Sequence, residues 1–308
     1  MPKRREHPRT LADGTVKVYS YPVKPKSGPR PKTVGMVMEE YRRSADFRRL
    51  AHETRVTYLR AMNDLAEYHG TPIDTVRRRH LKGLQDAFFD TPAKANQVVA
   101  FFVTLLSFAV DREYIAANPG FRLKKLKVGE YTRWSNEQLA YAMEHFSEHI
   151  RRAVVLALYT GQREGDCIRM TWADYDGQGV RVTQEKTEAK LWVPCHPALK
   201  AELDAWKAEG RGATTILTTK LGAPYKNSRS FASTFADFRK RHPIMAGVVF
   251  HGLRKTAAAK LAEAGCSAHE IAAVTGHRSL SMVQHYTREA EQRTRATAAI
   301  LKLSERRK

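Results

Sequence analysis

The chain has 308 residues, 42% of them hydrophobic, and a formal net charge of +21 from 53 Lys and Arg against 32 Asp and Glu. That length is generous for one core and points to two domains, and the charge excess selects a polyanionic partner, nucleic acid ahead of an anionic membrane. Three cysteines, Cys167, Cys195 and Cys266, are widely spaced and odd in number; they exclude a disulfide scaffold and read as reduced thiols of a cytoplasmic protein. The basic N-terminus is not followed by an apolar stretch, so no signal peptide is expected. Zinc held by Cys266, His269 and His277 would lack a second cysteine cluster.

Residues 1–33 form a basic, proline-rich arm. Within it Asp13-Gly14, followed by Val16, Val18 and Tyr19, predicts a short hairpin or a single strand, with a flexible tail as the alternative. Residues 34–120 read as a helical domain. Val34, Val37, Met38 and Tyr41 begin one amphipathic helix, and Val56, Leu59, Met62, Leu65 and Ala66 mark a second, closed by Gly70. The cluster Arg77, Arg78, Arg79 and His80 precedes a third over about 81–89. Thr91 as N-cap and Pro92 at the first helical position open a long apolar helix to about 114. Its most apolar run, 98–110, is too short to span a bilayer, and a buried helix is expected. Residues 121–133 read as a basic linker carrying Arg122, Lys124, Lys125, Lys127 and Arg133. Arg77, Arg78, Arg79, Lys124, Lys125 and Lys127 are candidate phosphate contacts, and an ordinary solvated charged face is the plainer alternative.

The second domain, 134–308, opens with a Ser135–Gln138 capping box. Helices are predicted near 136–147, 149–160, 197–208 and 227–241. Strands are predicted at 180–183 and 191–193, with Lys186 and Thr187 between them, and a further short strand at 214–217. The fold class is therefore α+β, mostly α with a small antiparallel sheet.

Residues 251–286 are the most informative stretch. His251-Gly252-Leu253-Arg254 opens a helix that Gly265 stops. Ser267 and Glu270 box the next, which Gly276 ends just before His277. Ser281 and Gln284 predict a third short box-capped helix carrying Tyr286, and 290–303 a further helix ahead of the basic end Arg306-Arg307-Lys308. Tight turns between short helices let His251, Arg254, His277 and Tyr286 converge. Arginine offers planar bidentate donors to phosphate oxygens, histidine moves protons near neutrality, and tyrosine can serve as a covalent nucleophile. Together they describe a phosphodiester site.

Four blocks in order carry a family resemblance: Thr160-Gly161-Gln162-Arg163-Glu164-Gly165-Asp166, Lys186-Thr187 between two strands, His251-Gly252-Leu253-Arg254, and Gly276-His277 with Tyr286 nine positions later. Each block alone is weak; four in this order behind a helical domain are specific. Over roughly 34–308 the chain resembles the tyrosine recombinases, phage and prophage integrase branch. The resemblance implies a helical core-binding domain (34–120) and a recombinase catalytic domain. It implies that Tyr286 attacks the scissile phosphate and becomes joined to the 3′ phosphate. Arg163 and Arg254 would hold the non-bridging oxygens, and His277 would hydrogen-bond the phosphate. Lys186, with Lys190 as a competitor, would be the acid for the leaving 5′ oxygen. His251 would accept the tyrosine proton, and Asp166 would brace Arg163 or its turn. No metal or organic cofactor is implied.

The implied partners are double-stranded DNA, gripped by a two-domain clamp, and three further copies forming a tetramer on two DNA sites, with the helix over 290–303 docked on a neighbour. A host DNA-bending protein and an excision factor are candidate accessory partners; a membrane is not. The alternatives are a type IB topoisomerase-like relaxing enzyme and a catalytically inactive DNA-binding regulator. The six filled active-site positions argue against the latter.

Overall fold

The computed structural model describes residues 4–22, 32–210 and 212–305. Lys3, Lys24, Lys26 and Arg30 of the predicted arm and the basic end Arg306-Arg307-Lys308 lie outside the described residues. The chain divides into two compact units, residues 1–129 and 130–308.

In the first unit, strands β1 (Arg4–Thr10) and β2 (Val16–Pro22) pair antiparallel around the Asp13-Gly14 turn, so the hairpin alternative holds. The register places His7 opposite Tyr19 and Arg9 opposite Lys17. Helices α1 (Val34–Arg43), α2 (Ala45–Arg48), α3 (His52–Asp64), α4 (Arg78–Ala87) and α5 (Pro92–Asp111) follow. Thr33 caps α1 by accepting from the Met36 amide, and Ser44 does the same for Phe47 in α2. Phe101, Phe102, Leu105 and Leu106 of α5 are fully buried among side chains of α1, α3 and α4.

Two expectations for α5 need correction. Thr91 does not cap it, its hydroxyl turning back to the Phe88 carbonyl, and the helix ends at Asp111, ahead of Glu113 at φ +60°. Counted from Pro92, its 20 residues are long and apolar enough by length and composition to cross a membrane. Half of that apolar window is buried in the helical core, which accounts for the composition.

The basic cluster is not ahead of α4 but inside its start. Arg77 is the N-cap, and its guanidinium bonds the Asp74 and Val76 carbonyls. Arg78 reaches the carbonyls of Phe121 (2.9 Å), Pro119 and Arg122. Gln85 donates to Lys124 O, and Asn96 pairs with both backbone groups of Leu126. The predicted linker is thus pinned to α4 and α5 through residue 126, while Lys124, Lys125 and Lys127 point to solvent.

The second unit contains α6 (Asn136–His145), α7 (Glu148–Thr160), α8 (Glu164–Arg169), β3 (Gly179–Thr183), β4 (Lys190–Pro194), α9 (Pro197–Ala208), α10 (Ser228–Lys240), α11 (Gly252–Glu263), α12 (Ala268–Thr275) and α13 (Leu280–Glu305). The predicted capping boxes at Ser135 and Ser267 are both formed. β3 and β4 make an antiparallel hairpin with Val180 opposite Val193. The strand predicted at 214–217 is only a bridge from Thr215 to Thr171, because its backbone groups pair with residues 170–172 and with no sheet edge.

The Ser281–Gln284 box is also absent. Helix α13 starts at Leu280, and Ser281 sits inside its first turn, hydrogen-bonded to Ser279. The two helices expected after His277 are one helix of 26 residues, since no Gly or Pro interrupts 280–305.

Alanine-rich α11 is the axis of this unit. Ala257, Ala258, Ala259 and Ala262 are buried, and their small side chains let α7, α12 and α13 lie close against it. At its start, a Cβ added to Gly252 would stand 2.4 Å from the Thr132 carbonyl oxygen. Gly252→Ala must therefore shift backbone. A loss of about 1–3 kcal/mol is expected, of the size seen for overpacked interiors, read as a lower urea midpoint with unchanged m-value.

Candidate active site

Arg254 sits in the first turn of α11 and is 3% exposed. Its Nη1 donates to two carbonyls, Gly161 at 2.9 Å and Thr275 at 2.5 Å. Each belongs to a helix end: Gly161 terminates α7 at φ +64°, and Thr275 is the last residue of α12 before Gly276 at φ +70°. Both glycines adopt the left-handed conformation that turns a chain out of a helix and leaves terminal carbonyls without intrahelical partners. Arg254 collects those carbonyls. Its Nη2 is buried and has no hydrogen-bond partner among the described residues. Burial first, and Arg163 second, push its pKa down to about 10.

Arg163 is the N-cap of α8. Its Nη1 donates to Gln184 Oε1 at 3.0 Å and stands 3.8 Å from Asp166. Asp166 is engaged more closely by Arg169 (2.6 Å) and by the Glu185 amide (3.0 Å). It therefore ties α8 to the end of β3 and braces the turn more than the arginine.

Gln184, which the sequence reading passed over, is the hub of the site. Fully buried at the end of β3, it accepts from Arg163 and Thr187 and donates to Gln162 Oε1 (2.6 Å) and Thr275 O (2.8 Å). Gly276 is what admits it, since a Cβ there would meet Gln184 Nε2 at 2.4 Å. Its only signal was position: a polar residue ending a strand next to a lysine turn. Gln162 adds a bond to Val274 O, again at the end of α12.

His277 follows the α12 cap, and its Nδ1 lies 2.6 Å from Thr275 Oγ1. The Thr275 hydroxyl also bonds Ile271 O. Burial, then the charges of Arg254 and Arg163, hold His277 down to about 4. His251, the α11 N-cap, is lowered by burial and by Arg254, Arg163, Lys255 and Lys186. Lys186 is exposed in the β3–β4 turn, and its charge is among those acting on His251. Lys190 is the first residue of β4, opposite Thr183.

Tyr286 is half-buried on α13, against Ala258, Ala262, Ile271 and Val283. Burial and Glu130 raise its pKa, and Arg254 and Arg133 oppose them. The structure thus joins Arg163, His251, Arg254 and His277 in one field, with Lys186 and Tyr286 at its margins. Arg77, Arg78 and Arg79 lie in the other unit. Cys266 and His269 join no metal site, and among the described residues no three His, Cys, Asp or Glu side chains gather to hold a metal.

The arrangement is a cationic, partly desolvated cluster with a buried donor that has no partner among the described residues and two histidines whose pKa values are lowered. Its pH response has a definite sign. His277 titrates near 6.5 when unfolded and at about 4 in the fold, so the unfolded state binds more protons between those values and stability rises with pH across them. Urea midpoints taken from about pH 7 down to about pH 4 should fall progressively, and less steeply in His277→Gln.

The model of the phage integrase family matches residues 133–293. The integrase of Escherichia phage HK022 is 34% identical over 106 residues, 33% of this chain and 30% of that protein. The integrase of Escherichia phage lambda is 29% identical over 213 residues, 66% of this chain and 55% of that one. The chain thus spans less than two thirds of either relative. A crystal structure of a lambda integrase tetramer bound to a Holliday junction superposes with a TM-score of 0.72 over 86% of this chain and 81% of that one, at 22% identity, a likeness of fold. The matched stretch holds Arg163, Lys186, His251, Arg254, His277 and Tyr286 and exceeds half of the sequence; the chain belongs to the phage integrase family.

Proposed function

We propose that this protein is a site-specific DNA recombinase that cuts and rejoins strands through a 3′-phosphotyrosyl intermediate, integrating or excising a phage or other mobile element. The observation that carries the reading is Arg254 Nη2, a guanidinium nitrogen buried without a partner beside a second arginine. An unpaired buried cationic donor is costly, and a phosphate oxygen supplies the missing acceptor together with the compensating charge.

In this mechanism Arg254 and Arg163 bind the two non-bridging oxygens. Their charge counts most as negative charge builds on the equatorial oxygens; loss of one such donor costs about 2.7–4 kcal/mol in comparable oxyanion sites. The phenolic oxygen of Tyr286 attacks phosphorus, and its proton passes to His251, which burial and then the neighbouring cations favour in the neutral, accepting form. The bond from phosphorus to the 5′ oxygen breaks, and that oxygen takes a proton from Lys186. His277, lowered by burial and then by the arginine charges, hydrogen-bonds the phosphate once the bound anion offsets that field. Because the ester energy is kept in the phosphotyrosine, attack by another 5′ hydroxyl reseals the strand without ATP.

Duplex DNA, a tetramer on two sites and action in the cytoplasm belong to the same reading. A host DNA-bending protein and an excision factor are its candidate helpers. The outer part of α13, where Ile300 is 65% exposed, is the segment proposed to dock on a neighbouring protomer. Residues 34–120 are proposed as the core-binding domain. Phosphate contact is assigned to the exposed Lys124, Lys125 and Lys127, to Arg79, and to Arg9 and Lys17 of the hairpin. Arg77 and Arg78 have prior engagements with backbone carbonyls, and Arg78 contributes to holding the segment that carries those lysines.

A nicked suicide substrate bearing the cognate site tests the proposal. Wild type should become covalently attached to the 3′ end, and Tyr286→Phe should bind the same DNA with equal affinity yet trap none. A wild type that binds the site but never forms the adduct would sink the reading. The lysine assignment has its own test. Lys186→Ala should slow cleavage by about 10²-fold or more, as loss of a general acid does, whereas Lys190→Ala should stay near wild type in the same single-turnover assay.

A further inference from the structure

Residues 130–134 run as a strap along the start of α11. Glu130 pairs with Lys255 at 3.0 Å, and the Tyr131 ring stands edge-on to His251 with centroids 5.5 Å apart. The Thr132 carbonyl fills the space that Gly252 leaves open. Trp134 donates its amide to Thr256 Oγ1 at 2.8 Å and its indole N–H to Val249 O at 2.9 Å. One side chain of this strap reaches past α11. Arg133 places Nη2 3.2 Å from Glu289 on α13 and Nη1 3.6 Å from Glu263 on α11. Glu289 lies three residues beyond Tyr286 and so on the same side of the helix. Arg133, Ala259, Glu263, Tyr286, Glu289 and Ala290 line one small cleft.

We propose that Arg133 is a positioning residue for the nucleophile, a two-pronged clamp that sets the rotation and height of α13 on α11 and thereby aims Tyr286 at the phosphate. The inference rests on the strand-transfer reading and goes beyond it, because Arg133 touches neither the scissile group nor the phosphate-binding cluster. The physical need is plain. The seam between α11 and α13 is built largely from Ala258, Ala262, Val283 and the Tyr286 ring, with Ile271 of α12 alongside, and short side chains interlock less deeply than long ones, so a polar tie across the seam adds to its definition. The two carboxylates that Arg133 engages are half-exposed, where ion pairs add little to stability; their value is geometric. A planar guanidinium bridging two helices fixes both distances at once. The charge of Arg133 also favours the phenolate of Tyr286 against the opposing Glu130.

The test uses full-length protein, a nicked suicide duplex and single-turnover cleavage at saturating DNA. Arg133→Ala should bind the duplex with the wild-type Kd and cleave about 10- to 100-fold more slowly, as expected when a reacting atom is displaced by about an ångström. Arg133→Lys should recover part of the rate. Glu289→Gln should be slowed in the same direction, and the double variant should be no slower than Arg133→Ala alone, because that variant already severs the link to Glu289. Thermal melts taken alongside confirm that the rates belong to folded protein, and Glu289→Gln serves if Arg133→Ala folds poorly. Wild-type cleavage rates in Arg133→Ala or Glu289→Gln, or fully additive losses in the pair, would overturn the clamp and leave the strand-transfer reading intact. A wild-type protein that never forms the adduct overturns both.

Discussion

The site depends on one guanidinium taken out of water. Arg254 is a charge that the interior tolerates only because two helix ends supply carbonyls to it. Those ends exist because Gly161 and Gly276 let α7 and α12 stop in the left-handed conformation with their last carbonyls facing inward. What the fold does not supply is an acceptor for Nη2. Under the strand-transfer proposal a phosphate meets the remaining desolvation cost, and affinity for the anion would then follow from how the helices end.

The same burial orders the chemistry around it. Burial first, and the charges of Arg254 and Arg163 second, lower the pKa values of His251 and His277 and favour their neutral forms. A neutral base is what a phenol at pKa ~10 requires of its neighbour. Gln184 holds the pieces in register without adding charge. It bonds Arg163 on one side and Thr275 on the other, linking the hairpin to the start of α8 and the end of α12. A carboxylate at that point would have neutralised the field that the reaction uses.

Much of this was legible in the residues because helix ends are written locally. Ser135 and Ser267 with their partners three positions on, and Gly265 and Gly276, mark starts and stops through hydrogen bonds made within one turn of chain, and the structure has them all. The reading failed where a local signal competed with a longer one. Ser281 and Gln284 have the spacing of a capping box, yet the helix begins one residue before Ser281, because Ser279 is available ahead of it and nothing downstream interrupts the turn. Thr91 has a capping side chain that bonds Phe88 instead. The arginines at 77–79 read as a solvated or phosphate-binding run, yet two of them are consumed by carbonyls, in Arg78's case some forty residues away. Gln184 and the Arg133 clamp left no trace in spacing at all, since their partners lie far along the chain.

By itself, then, the sequence determined the class of the fold, the family, and which side chains are available to meet a phosphodiester. Each of those follows from residue type and from offsets of a few positions, which backbone geometry converts directly into local structure. Only the tertiary structure decided which arginine is buried and left with an empty donor, which lysine lies within the field of His251, and what holds the tyrosine's helix in place. Those are properties of burial and of distance between remote segments, and they arise only when separate helices are packed against one another and water is excluded from between them.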